Sequence, residues 1–153
     1  MLKKAIWQNV ITIGAGLGIV RFGINLVAAE MEGPEILFES VPLAILAMAL
    51  TIIAMIWSGY RAREANGNLI DLQSGFLTMF GVYAIAGLIS AICNSIYLEL
   101  IRPEFLPMVA DWADRLSTNG KIREYLSSLI FGALMAMAFA FGLKREKVKV
   151  VAK

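Results

Sequence analysis

Four apolar stretches, each close to the length needed to cross a bilayer, dominate this chain: Ala5 to Ala29, Val41 to Tyr60, Ser74 to Leu98 and Tyr125 to Leu143. A helix needs roughly 20 apolar residues to cross about 30 Å of hydrocarbon. Inside hydrocarbon every backbone N–H and C=O must be satisfied by the chain itself, which leaves helices or closed barrels. Barrel strands would be about half as long and would alternate in polarity. The chain has 153 residues and is 59% hydrophobic, more apolar surface than a soluble domain of this size can bury. The sequence therefore predicts an all-α fold, a four-transmembrane-helix bundle forming a single integral membrane domain.

Charge sets the expected orientation. Lys3, Lys4, Arg61, Arg63, Lys144, Arg145, Lys147, Lys149 and Lys153 fall on the side of the termini and the middle loop. The other two loops hold Arg102, Arg115, Lys121 and Arg123, and Arg21 completes the fourteen basic residues. An excess of nine over four places both termini in the cytoplasm by the positive-inside rule. Trp7, Trp57 and Tyr60 then sit at the inner boundary, and Tyr97, Trp112 and Tyr125 at the outer one, the depths that amphipathic rings favour. Lys3, Lys4 and the small residues Val27-Ala28-Ala29 resemble a signal peptide. The run between them is too long and carries Arg21 and Asn25, so it is expected to remain as a span. The basic tail from Lys144 to Lys153 reads as a stop-transfer flank, with anionic lipid as the sharper alternative.

The loops carry turn signals. Gly33-Pro34 breaks the first outer loop and Asn66-Gly67 the cytoplasmic one. Pro42 suits the first turn of the second span, and Asp71 the N-cap of the third. In the long outer loop, Pro103 and Pro107 stop the third helix. Phe105, Val109, Trp112 and Leu116 then recur at helical spacing, with Asp111, Asp114 and Arg115 off that face. This predicts a short interfacial amphipathic helix between the third and fourth spans.

Polar residues inside spans carry the functional signal. On span one Gly14, Gly18, Arg21 and Asn25 share a helical face, as do Tyr83, Gly87, Ser90, Asn94 and Tyr97 on span three. With span centres near residues 17 and 86, Arg21 and Ser90 both lie about 6 Å outward of centre, and Asn25 and Asn94 about 12 Å. The matched depths predict that spans one and three pack together, small residues letting the backbones approach and amides bonding across. Arg21 would donate to Asn94, Ser90 or nearby carbonyls, with Glu99 or Glu39 in reach at the outer rim by snorkelling. An arginine at this depth costs about 2.5–3.5 kcal/mol on insertion scales. Two readings of the cluster stand. It is a site that binds a small anion or an anionic lipid headgroup, or it is structural glue that holds helices in register.

The second span carries a small-residue ridge at Ala44, Ala47, Thr51, Ala54 and Ser58, and the fourth carries one at Ser128, Gly132, Ala136 and Ala140. Contacts within one bundle explain such ridges more simply than a homo-oligomer does. The eight methionines read as gap-fillers. There is no histidine, and Cys93 is the one cysteine, so no metal cluster or other cofactor is expected. Gly14-x-Gly16-x-Gly18 follows no strand, which argues against a nucleotide loop. No nucleophile and base pair stands out, and nothing points to nucleic acid. The expected partners are the lipid bilayer, an anionic lipid or small anion, and a membrane-protein partner or second copy.

Gly59-Tyr60-Arg61 through Asn66-Gly67 to Gly75-Phe76, then Ser90-Ala91-Ile92-Cys93-Asn94-Ser95-Ile96-Tyr97 and Arg102-Pro103-Glu104-Phe105, resemble a family of small bacterial membrane proteins. That family is a four-helix domain of unknown function. The likeness runs from about the first span to Phe105, and beyond it lies mainly in hydropathy. It implies the four-span plan and a bacterial inner membrane, and carries neither an activity nor site residues. The expected function is that of a non-enzymatic accessory or scaffolding subunit or lipid-interacting bundle. The alternative is a small oligomeric transporter or channel that uses Arg21 as its anion-binding element.

Overall fold

The computed structural model describes residues 4–144. In chain order it contains α1 (Lys4–Glu32), a single-turn α2 (Ile36–Glu39), α3 (Val41–Ala65), α4 (Leu72–Ile96), a single-turn α5 (Ala113–Leu116) and α6 (Thr118–Leu143). No strand occurs among the described residues. The long helices α1, α3, α4 and α6 are apolar and long enough to span a membrane, giving the architecture of a multi-pass membrane protein. All but Lys144 of the basic tail lies outside the described residues.

Local chemistry sets the helix ends. Ser40 Oγ accepts from Leu43 N at 3.2 Å, Asp71 Oδ1 from Ser74 N at 2.7 Å, and Ser117 Oγ from Gly120 N at 3.0 Å. Each cap satisfies one of the donors that a helix N-terminus leaves open. The backbone bond from Ser74 also holds the Asp71 carboxyl below its ordinary range. Gly33 and Gly67 take φ of +100° and +70°, which an L side chain adopts only with strain. The cap at Ser117 explains one difference from the sequence reading. α6 begins at Thr118, not at Tyr125, because a capped helix extends through Thr118 to Glu124 although that segment is too polar to read as a span.

The long loop also differs from the expected continuous amphipathic helix. After α4 the chain makes a π-helical turn, Tyr97–Ile101, then 3₁₀ segments at Pro103–Phe105 and Pro107–Trp112, and only then α5. Pro103 and Pro107 have no N–H to give, and Val109 leaves helical geometry at φ −107°, ψ 26°. The sidedness still follows the sequence. Val109 is buried, Phe105, Trp112 and Leu116 are half-buried, and Asp111, Asp114 and Arg115 are exposed.

α4 is the hub. It packs most extensively on α1, then on α6 and α3, whereas α1 and α6 scarcely touch. Gly14 and Gly18 make the α1–α4 seam possible. A Cβ on Gly14 would lie 2.9 Å from Ile85 Cβ, and one on Gly18 would lie 2.9 Å from the Ala86 carbonyl oxygen. One apolar cluster gathers Ile6, Val10, Ala62, Ile70 and Val82, and a second gathers Met55, Met79, Ala136 and Leu143. A third, around Ala29, Tyr97 and Leu98, lies at the opposite end, beneath α2 and α5. The buried residues of α3 run from Thr51 to Ala62, and nearer α2 its side chains are exposed or half-buried. Ala44, at the start of the predicted small-residue ridge, is accordingly exposed.

Overfilling the seam should be costly. Gly18→Leu is expected to destabilise the protein by about 1–3 kcal/mol, read from unfolding in mild detergent. Gly23→Ala, where an added Cβ meets nothing within 4 Å, should leave stability unchanged or slightly raised. Equal losses from both would refute the seam.

Candidate functional site

Because α1 and α6 both lean on α4 without meeting, a gap is left on α4 toward the α2/α5 end. It is a cavity of about 420 Å³. Arg21 and Asn25 reach it from α1, Tyr83, Ser90 and Asn94 from α4, and Tyr125 from α6. No residue of α3 lines it. The side facing α6 is built by aromatic rings on glycines. The Tyr83 ring lies against Gly132, and the Tyr125 ring against Gly87, where a Cβ would be 3.3 Å from Cε2. Tyr125 Oη also donates to the Ala84 carbonyl at 2.9 Å.

The cover comes from the short segments. Leu37 and Phe38 of α2 and Leu116 of α5 line the cavity. Phe38 stacks on Trp112 at 5.3 Å with 12° between planes, and the Arg115 guanidinium lies 4.8 Å over the Trp112 ring. Around this cover stand Arg115, Lys121 and Glu124. Lys121 Nζ forms an ion pair with Glu99.

A clasp beside the cavity ties the end of α1 to the end of α4. Arg102 forks onto Glu30, Nε to Oε1 at 2.7 Å and Nη2 to Oε2 at 2.5 Å, and reaches Glu104 through Nη1 at 3.1 Å. Tyr97 Oη donates to Glu30 Oε1 at 2.9 Å. Its ring is buried edge-on between Phe22 and Phe105. The hydrogen bonds to Glu30, then those to Glu104, hold the Arg102 guanidinium pKa above its ordinary value. The π-helical turn, closed by Arg102 N to the Tyr97 carbonyl at 2.8 Å, inserts one residue into the helical phase. It thereby buries Tyr97 and Leu98 together.

Arg21, Asn25, Ser90 and Asn94 are thus brought together around one cavity, but not through the contacts expected from their spacing. The seam on α1 meets Val82, Ile85, Ala86 and Ile89, and not the Tyr83-Gly87-Ser90-Asn94 face. That polar face points into the space between α1 and α6. Arg21 therefore donates to neither Asn94 nor Ser90, and among the described residues it makes no hydrogen bond or ion pair. The candidate carboxylates do not serve it either: Glu99 is held by Lys121, and Glu39 forms no ion pair with it. Tyr97 belongs to the clasp and does not line the cavity. Gly87 and Gly132 do pack tightly, against tyrosine rings of the facing helix. The half-buried Arg21 guanidinium is open to the cavity. The one sealed and unbonded side-chain nitrogen among the described residues is Nε of Arg63, at the far end of α3. No group of three or more acidic, histidine or cysteine side chains suited to a metal occurs among the described residues.

Residues 12–145 match the family described as protein of unknown function DUF4199. The chain belongs to the DUF4199 family. The match runs past Phe105 and through α6. Four apolar, membrane-length helices fit a membrane-protein family. No curated protein and no solved structure matches this DUF4199 chain.

Opening the clasp should loosen this end of the bundle. Arg102→Met is expected to lower the thermal midpoint in detergent and to speed amide exchange in the α4–α5 connection of this DUF4199 protein. The charge swap Glu30→Arg with Arg102→Glu should recover part of the loss. A swap no better than either single change would show that the pair acts only through packing.

Proposed function

We propose that this protein is a non-enzymatic, multi-pass protein of the bacterial inner membrane that binds an anionic group at Arg21. In this reading both termini are cytoplasmic, as the bias of nine basic residues over four supports. The α2/α5 end and the cavity mouth then face outward. The observation that carries the proposal is a guanidinium half-buried in a membrane-spanning helix, open to a cavity, with no protein partner among the described residues. A charge kept at this depth has to be offset, and a forked guanidinium is best offset by a carboxylate or phosphate. Glue would require bonds to neighbouring side chains, and among the described residues Arg21 makes none.

A second reading, an accessory subunit or homo-oligomer, is favoured by a different observation. The half of α3 nearest α2 exposes Val41, Ile45, Leu46 and Met48. A shallow apolar groove of Val20, Gly23, Val27 and Leu43 lies beside it. A stoichiometric partner or second copy in a native mass spectrum from mild detergent would support that reading, and a lone monomer would count against it.

The Arg21 reading is tested by thermal unfolding in detergent with acetate, propanoate, glycerate and phosphatidylglycerol as probes. The unaltered protein is expected to be stabilised by at least one of them, Arg21→Lys less so, and Arg21→Ala not at all. Arg21→Leu should fold and be at least as stable without ligand, since removing the charge recovers about 2.5–3.5 kcal/mol of insertion cost. Stabilisation that persists in Arg21→Ala would refute the assignment.

A further inference from the structure

Several hydroxyls of the spanning helices bond back to their own helix. Thr51 Oγ1, Ser58 Oγ and Thr78 Oγ1 each donate to a carbonyl of their own helix at 2.7 Å, and Ser128 Oγ does so at 2.8 Å. This is how a hydroxyl is satisfied in an apolar medium, where an unbonded one costs about 1–3 kcal/mol. Ser90 breaks the pattern. It is 4% exposed, it lines the cavity, and among the described residues its hydroxyl makes no hydrogen bond. Tyr83, Asn25, Asn94 and Ser95 line the same cavity, and their side-chain polar groups are also without a hydrogen bond among the described residues. Five neutral donor–acceptor groups thus line the cavity with one guanidinium.

Resting on the anion-binding reading of Arg21, we infer that the cavity's ligand is a singly charged oxyanion carrying hydroxyl groups. Its sources are a free hydroxy-carboxylate or the glycerol-phosphate head of an anionic lipid. The charge count follows from the lining. Arg21 is the one cation at depth, while Lys121 is engaged by Glu99, Arg115 lies over Trp112, and Glu124 adds a negative charge nearby. A second buried negative charge would have no counterpart, and uncompensated buried charge is strongly disfavoured. The hydroxyls follow from the neutral groups. Ser90, Asn94, Asn25 and Tyr83 offer both donors and acceptors, and a hydroxyl pairs with either. A bare oxyanion only accepts, so it would leave the amide oxygens unpaired. Size agrees. A volume of about 420 Å³ equals about fourteen waters at about 30 Å³ each, well beyond a single carboxylate.

The test compares isosteres with and without hydroxyls. Glycerate and propanoate share the carboxylate and carbon count, and their dissociation constants can be read from thermal shifts of the full chain in detergent. The expected result is glycerate binding about tenfold or more tighter, the range of one or two neutral hydrogen bonds. Ser90→Ala and Asn94→Ala should each bring the ratio toward one, chiefly by weakening glycerate. In a second arm, native mass spectrometry from nanodiscs holding equal phosphatidylglycerol and phosphatidylethanol reports which lipid stays bound. Selective retention of phosphatidylglycerol, lost in Ser90→Ala, assigns the lipid source. Selectivity confined to the glycerate arm assigns the free one. Equal binding within each pair, with both still dependent on Arg21, overturns this inference and leaves the Arg21 reading standing. Binding that ignores Arg21, or no binding in either arm, overturns both.

Discussion

The close approach of α1 to α4 at Gly14 and Gly18 is the contact on which the rest of the arrangement depends. Glycine at both places lets α1 settle against Val82, Ile85, Ala86 and Ile89. That commits one face of α4 to α1. The neighbouring face, with Tyr83, Gly87, Ser90 and Asn94, is left to α6, which meets it through bulky rings on Gly87 and Gly132. Those rings secure α6 to α4 near the middle of the bundle. Toward the α2/α5 end, where α3 also withdraws its buried side, nothing fills the space between α1 and α6. The cavity is the geometric remainder of one tight seam and one spaced one.

The polar groups make that remainder a chemical feature. Hydrophobic side chains could have filled the gap and would have stabilised the bundle at roughly 25 cal/mol per Å² buried. A guanidinium, two amides, two serines and a phenol stand there instead. Two carboxylates at this end of the bundle are held by other groups. Glu30 is held by Arg102 and Tyr97, and Glu99 by Lys121. The clasp thus keeps the end of α1 fixed to α4.

Much of this was legible in the sequence, and the remainder fails for identifiable reasons. The spans follow from hydropathy, and the cap at Asp71 and the first-turn place of Pro42 from local chemistry. Arg21, Asn25, Ser90 and Asn94 could be grouped because helical spacing fixes angle and depth. Spacing does not say which neighbour a face meets: it matches the polar face of α4 with α1, whereas that face borders the gap shared with α6. The Glu30–Arg102 clasp joins residues 72 positions apart and depends on a π-helical turn that shifts the phase. No periodic pattern announces such a turn. The extended start of α6 was hidden because Thr118 to Glu124 reads as loop until its cap is seen.

The Arg21 charge faces a cavity that it shares with Ser90. The most direct measurement is the rate at which charged thiol reagents modify Ser90→Cys in a Cys93→Ala background. An anionic methanethiosulfonate should react faster than a cationic one, and Arg21→Leu should lower that ratio by about tenfold, equivalent to about 1.4 kcal/mol of charge interaction. A cysteine at position 90 that neither reagent reaches, or a ratio indifferent to Arg21, would contradict the account.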